Sequence, residues 1–237
     1  SRAAAISAPD SSLDFQRGGG PARPAAPQTT GSVSPLRFRY VGPATAGRIA
    51  SVTGIPGDPT TYYLGNASGG VFKSTDSGAT WEPVFDEQSV QAIGALAVSW
   101  SDPNQVWAGT AEAWVIRDSD IIGEGIYKSP DAGKTWKNMG LGEVGRIGRI
   151  IVHPTNPNIV YVASAGQEWV ENEMRGVFKT IDGGKTWTHT LKISAKTGAN
   201  DIAMDPKDPN TLYAGAWQRQ RRKWNDPRVE PGFSEGG

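Results

Sequence analysis

The chain has 237 residues, 37% of them hydrophobic, enough to bury a sizeable core in one or two domains. A formal net charge of zero argues against general nucleic-acid affinity, and the lack of any Cys excludes a disulfide scaffold, thiolate metal sites and a Cys nucleophile. No stretch approaches the ~18 consecutive apolar residues of a membrane span, and thirty Gly with seventeen Pro suit short strands joined by turns better than helices.

Residues 1–35 are Ala, Pro, Gly, Ser and Arg with almost no apolar periodicity, as in Gly18-Gly-Gly-Pro-Ala-Arg-Pro-Ala-Ala-Pro27. Such a segment buries too little surface to offset its ordering entropy and is expected to be an extended tail or linker. The start at Ser1 rather than Met reads as a processed N-terminus and favours export to a periplasmic or extracellular location.

From residue 36 the chain repeats itself. Ser74-Thr-Asp-Ser-Gly-Ala-Thr-Trp81 returns as Ser129-Pro-Asp-Ala-Gly-Lys-Thr-Trp136 and as Thr180-Ile-Asp-Gly-Gly-Lys-Thr-Trp187, with Asp-to-Asp steps of 55 and 51 residues. Ahead of each copy lies a first apolar strand (48–52, 93–98, 147–152), a turn built on Asp-Pro or Asn-Pro, and a second strand ending in small residues (62–65, 106–109, 160–163). Strands also flank the Asp turn. Four strands in a period of about 50 residues is the pattern of a propeller blade.

The expected fold is therefore all-β: an incomplete β-propeller of four-stranded antiparallel blades, about three and a half in number. Blades are expected at about 41–88, 89–142 and 143–196, with a partial blade at 197–237 that carries strands at 201–204 and 212–215 but no Asp turn. A short strand at 36–40 precedes the first blade. Small residues closing the second strands let neighbouring sheets crowd toward a common axis.

Within the repeated turn, Asp76, Asp131 and Asp182 are expected to accept hydrogen bonds from their own backbone. Gly78, Gly133 and Gly184 permit a positive φ. Trp81, Trp136 and Trp187 bury a ring beside the hairpin and pin blade to blade. One carboxylate per turn cannot supply the six to eight oxygens calcium requires, so these Asp residues read as structural. His153 and His189 stand alone, and no metal or other cofactor is expected.

The S/T-x-D-x-G-x-T-W turn resembles the Asp-box, or bacterial neuraminidase repeat. That repeat occurs in sialidases, xyloglucan-cleaving glycosidases, sortilin-type receptors and a propeller assembly factor of photosystem II. Residues 36–237 resemble the N-terminal part of large exported bacterial proteins labelled glycosyl hydrolases. The residues carrying this likeness include Gly47-Arg-Ile, Gly65-Asn-Ala-Ser-Gly-Gly-Val-Phe-Lys-Ser74, Ile147-Gly-Arg-Ile150 and His153-Pro-Thr-Asn-Pro157. The resemblance implies the propeller fold and leaves activity open, because one scaffold hosts enzymes and pure binders.

In such a blade the Asp turn and the Asp/Asn-Pro turn share one face, and the longer loops share the other. Those loops carry Glu112, Trp114, Asp118, Glu168, Trp169, Trp217, Arg219, Arg221, Arg222 and Trp224. Carboxylates interleaved with Trp are what a polysaccharide groove offers, with Glu112 and Glu168 as candidate acid–base residues. The run Arg219-Gln-Arg-Arg-Lys-Trp224 could seat the domain on an anionic surface.

No complete catalytic set is visible. The favoured reading is an exported, non-catalytic module docked by its tail and loop face on a larger, membrane-associated protein complex. Part of a glycoside hydrolase and a sortilin-like peptide-binding module are the alternatives.

Overall fold

The computed structural model of the chain describes residues 42–43, 47–113 and 121–218. The first blade comprises β1 (Ile49–Ile55), β2 (Asp58–Asn66), β3 (Gly70–Ser74) and β4 (Glu82–Pro83), hydrogen-bonded in that order. The second comprises β5 (Ile93–Val98), β6 (Val106–Thr110), β7 (Ile126–Ser129) and β8 (Lys137–Asn138). The third comprises β9 (Ile147–His153), β10 (Asn156–Ser164), β11 (Gly176–Thr180) and β12 (Thr188–Leu191). A two-stranded sheet, β13 (Thr197–Met204) with β14 (Leu212–Gln218), begins a fourth. All pairings are antiparallel. The fold is an incomplete β-propeller; the expected strand at 36–40 lies outside the described residues.

The first strands of successive blades pack against one another (β1 on β5, β5 on β9, β9 on β13) and so form the inner edge of the arc. Each of them breaks register at one matching residue: Ala50, Gly94, Gly148 and Asn200. A bulge sharpens local twist, and its recurrence gives every blade the same inner kink.

The core lies between blades. Leu96 and Val98 of β5 face blade 1, in a cluster with Tyr63, Phe85 and Tyr127. Ala95 and Ala97 of the same strand face blade 3, in a cluster with Trp107, Ile147 and Val162. Covered on both faces, β5 is buried along its whole length, which explains its near-continuous apolar run. Trp107 is fully buried; a ring of that size removes roughly 200 Å² from water, a gross gain of about 5 kcal/mol. A smaller cluster around Tyr161, Ala199 and Ile202 joins blades 3 and 4.

Each Asp turn docks on the first turn of its own blade: Ser77, Ala132 and Gly183 donate their N–H groups to Thr60, Asn104 and Asn158 carbonyls. Within the turns, Asp76 Oδ1 accepts from the Thr80 N–H at 2.8 Å and its Oδ2 from the Thr80 hydroxyl at 2.6 Å. Asp131 with Thr135, and Asp182 with Thr186, repeat the arrangement. The turn glycines Gly78, Gly133 and Gly184 have φ of 83, 91 and 92°.

The blades also clasp one another. Trp136 Nε1 donates to Val84 O of blade 1 at 2.7 Å, and Trp187 Nε1 to Met139 O of blade 2 at 2.9 Å. In the other direction Lys73 Nζ and the Tyr63 hydroxyl both donate to Ala132 O at 3.0 Å. Trp81 instead donates to Gly78 O of its own turn at 3.1 Å. Burial pushes the Tyr63 phenol up to about 12.

Candidate functional site

The loops joining second to third strands, together with the blade-to-blade connections, form the face opposite the Asp turns. Two acidic residues from these loops are buried, and each meets an arginine that introduces a first strand. Glu112 accepts from Arg48 of blade 1 through Nε at 3.2 Å and through Nη2, a bidentate bond that crosses the junction between blades 1 and 2. Its hydrogen bond and charge raise the Arg48 pKa. Glu168 pairs with Arg146 at 3.0 Å, both side chains being almost wholly buried.

Arg175, 1% exposed, organises the loop between β10 and β11. Its guanidinium donates to the carbonyls of Ala165, Gln167 and Val170. Gly166 makes this possible: at φ +83° a Cβ there would sit 2.4 Å from Arg175 Cγ. The loop is tied outward as well, since Asn172 donates its N–H to Ala195 O at 2.8 Å and its side-chain amide to Glu143 O at 3.0 Å. Lys192 and Lys196 pair with Glu173 and Glu171. Trp169 is thereby held out from a rigid loop, 40% exposed, beside an exposed Val170. Trp217, at the end of β14 on the same face, is also 40% exposed.

Glu124, another carboxylate of this face, accepts from the Tyr127 hydroxyl at 3.1 Å and from Ser89. Glu112, Glu124, Glu168, Glu171 and Glu173 thus all have partners. Glu112 and Glu168, the acid–base candidates, are buried at 6% and 4% exposure, each paired with an arginine. Each ion pair ties its loop to the start of a first strand. A cavity of about 110 Å³ flanks the Arg48–Glu112 pair.

Trp114, Asp118, Arg219, Arg221, Arg222 and Trp224 lie outside the described residues. Among the described residues, no three His, Asp or Glu side chains converge as metal ligands, and no helix is long and apolar enough to cross a membrane. Sequence reading did not connect the three arginines with the loops they hold. A signal was present for two of them: Gly-Arg-Ile stands at the entrance to both blade 1 and blade 3, as Gly47-Arg48-Ile49 and Gly145-Arg146-Ile147.

No family model matches the chain. Over 196 residues, 76% of this chain and 22% of the other, it is 23% identical to a probable oligoxyloglucan-reducing end-specific xyloglucanase of Neosartorya fischeri. It is 28% identical over 167 residues to a xyloglucanase of Hypocrea jecorina, covering 62% of this chain and 18% of that one. It is 27% identical over 143 residues to a xyloglucanase of Acetivibrio thermocellus, covering 56% and 16%.

Among solved structures, an ancestral GH74 enzyme superposes with a TM-score of 0.56 at 19% identity, covering 77% of this chain and 23% of that one. The GH74 enzyme of Niastella koreensis gives 0.53 at 24% identity, covering 70% and 28%. YCF48 bound to D1 peptide gives 0.50 at 15% identity, covering 72% and 50%. These likenesses are of fold, and they define the class: a β-propeller. The chain spans only 16–22% of the length of the three xyloglucanases it resembles.

Proposed function

We propose that these blades belong to an exported, glycan-acting propeller of the xyloglucanase kind, and that their loop face forms one wall of a polysaccharide groove. The S/T-x-D-x-G-x-T-W turns are, on this reading, Asp-boxes serving the scaffold alone. The observation that carries the proposal is sequence similarity to xyloglucanases extending over 196 residues. An exposed indole, Trp169, on the face built from the longer loops supports it. An indole held out by a braced loop offers a flat apolar surface to the face of a sugar ring. Acid–base chemistry is assigned to carboxylates other than Glu112 and Glu168, each of which is buried in an ion pair with an arginine.

The test is a titration of the protein with xyloglucan oligosaccharides, followed by Trp fluorescence and by release of reducing ends. Saturable quenching is expected, weakened about tenfold (~1.4 kcal/mol) by Trp169→Ala. Absence of both binding and hydrolysis overturns the proposal. The pairing of the loop carboxylates favours one other reading: a non-catalytic module docking through its loop face and tail on a membrane-associated protein complex.

A further inference from the structure

On the face opposite the loops, at the junction of blades 2 and 3, lies a cleft of about 470 Å³. Lys128, Lys137 and Lys185 line it, together with Asn158, Asp182 and Gly183. The Asp182 carboxylate is already committed to its own turn, accepting from Thr180, Thr186 and the Lys185 N–H. Three lysines therefore line the space against one carboxylate engaged in its own turn.

Lys128 is the innermost of them. It is half-buried, with Nζ 4.9 Å from the centre of the Trp107 ring and 3.5 Å from Gly183 O. Burial lowers its pKa; the charge of Asp102 opposes this, and that of Lys185 adds a smaller lowering. A partly desolvated ammonium is stabilised by an anion brought beside it.

The repeat supplies an internal comparison. Counted from their Asp turns, Lys73 and Lys134 at the junction of blades 1 and 2 correspond to Lys128 and Lys185, and Asn104 matches Asn158 in accepting the N–H of the residue after the turn Asp. Two places differ. Glu82 stands where blade 2 has Lys137, and Ala132 where blade 3 has Gly183. Glu82 raises the Lys73 pKa, opposing the larger effect of burial, so it acts as a built-in counter-charge. A Cβ on Gly183 would lie 3.2 Å from Lys128 Nζ and 2.9 Å from Asn158 Oδ1, inside the cleft. Both differences make the junction of blades 2 and 3 more open and more positive than its neighbour.

We propose that this cleft is an oxyanion-binding site, taking a carboxylate, sulfate or phosphate group between Lys128, Lys137 and Lys185. Its volume falls within the range of small-molecule sites, roughly 300–1,000 Å³. It exceeds what a bare ion fills, and Pro130 and Met139 complete its wall. The fitting ligand is an oxyanion on a small organic body, for example an acidic sugar.

Calorimetry with inorganic sulfate, inorganic phosphate and glucuronate, against chloride at matched ionic strength and glucose as the uncharged sugar, tests this. One saturable site is expected for oxyanions and none for chloride or glucose. Tighter binding of glucuronate than of sulfate or phosphate assigns the site to a carboxylated body; the reverse order assigns it to free inorganic anions. Lys137→Glu, which restores the charge of the other junction, should weaken binding at least tenfold, whereas Lys134→Glu at that junction should leave it unchanged. Unfolding midpoints of both variants establish that each is folded. Oxyanion heats no different from chloride, retention of binding in Lys137→Glu, or equal loss in both variants would overturn the assignment. The site lies on the face opposite the loops, so its failure leaves the glycan-groove proposal untouched.

Discussion

Gly94→Ala tests the inner edge of the arc. Gly94 is the bulged residue of β5, and a Cβ built on it would lie 2.2 Å from Ala111 O and 2.4 Å from Ile147 O, the latter in the next blade. Carbon and oxygen normally approach to about 3.3 Å, so two carbonyls on opposite sides must each retreat by about 1 Å. Overpacking against side chains costs about 1–3 kcal/mol. Here the obstacles are main chain and cannot rotate away, and the adjoining Ala111 N–H···O Ala92 bond of 2.8 Å is disturbed with them. That bond is worth about 1 kcal/mol, which brings the expected loss to about 3–4 kcal/mol. For a domain of this size the melting temperature should fall by about 10 °C.

Urea and thermal unfolding followed by Trp fluorescence measure it, with Gly142→Ala as control. A Cβ at Gly142 meets only Glu124 O at 3.9 Å, and the change should stay within about 0.5 kcal/mol. If the two variants unfold at the same midpoint, close main-chain approach is not what sets the blade spacing.

Three further outcomes are expected. The Thr80 hydroxyl, then its N–H and the Ser74 hydroxyl, hold the Asp76 carboxyl down to about 2, and the turn threonines lower Asp131 and Asp182 likewise. Because the folded values are depressed, this stabilisation is complete above the unfolded Asp value of ~3.9 and disappears as pH falls toward about 2. Denaturant midpoints should drop across that window, and midpoints that stay level between pH 5 and 2 would refute the assignment. Trp187→Phe removes the 2.9 Å bond to Met139 O while keeping a ring against Trp107, whose edge contact has centroids 6.3 Å apart. A loss of about 1–2 kcal/mol in chemical denaturation is expected. Arg146→Met leaves Glu168 buried without that charge partner and should cost about 3–5 kcal/mol. The double variant with Glu168→Leu should recover most of the loss, and a double-mutant cycle with no coupling would show that the pair is not the restraint.

The repeat made the strands legible because turn chemistry and apolar runs alternate along it. The run at 93–98 coincides with β5, where two buried faces demand unbroken hydrophobicity. β13 begins at Thr197, four residues ahead of the expected strand, because Thr-Gly-Ala-Asn has no apolar alternation and pairs through its backbone with the end of β14. β2 and β10 likewise extend back into their turns, because Asp58 and Asn156 pair with Ile55 and His153 beyond a register shift that spans the Pro-containing residues. The four matching bulges of the first strands leave no mark in composition: Ala50, Gly94, Gly148 and Asn200 share no side-chain property. The loop face was the least legible part. Glu112 and Glu168 look like solvent-facing carboxylates until their arginines, 64 and 22 positions away, fold onto them.

The clasp between blades has a direction. Indoles of blades 2 and 3 reach back to a carbonyl of the blade before, while lysine and tyrosine donors of blades 1 and 2 reach forward to the turn of the blade after. The two ends of any excised piece are then unlike. Cutting ahead of blade 2 or blade 3 parts Trp136 or Trp187 from its main-chain acceptor. Cutting behind a blade leaves ammonium and phenol groups that water readily solvates. A chain emerging N-terminus first meets the gentler of these conditions at every stage of synthesis, since each finished blade waits with its water-tolerant side facing the one still to come.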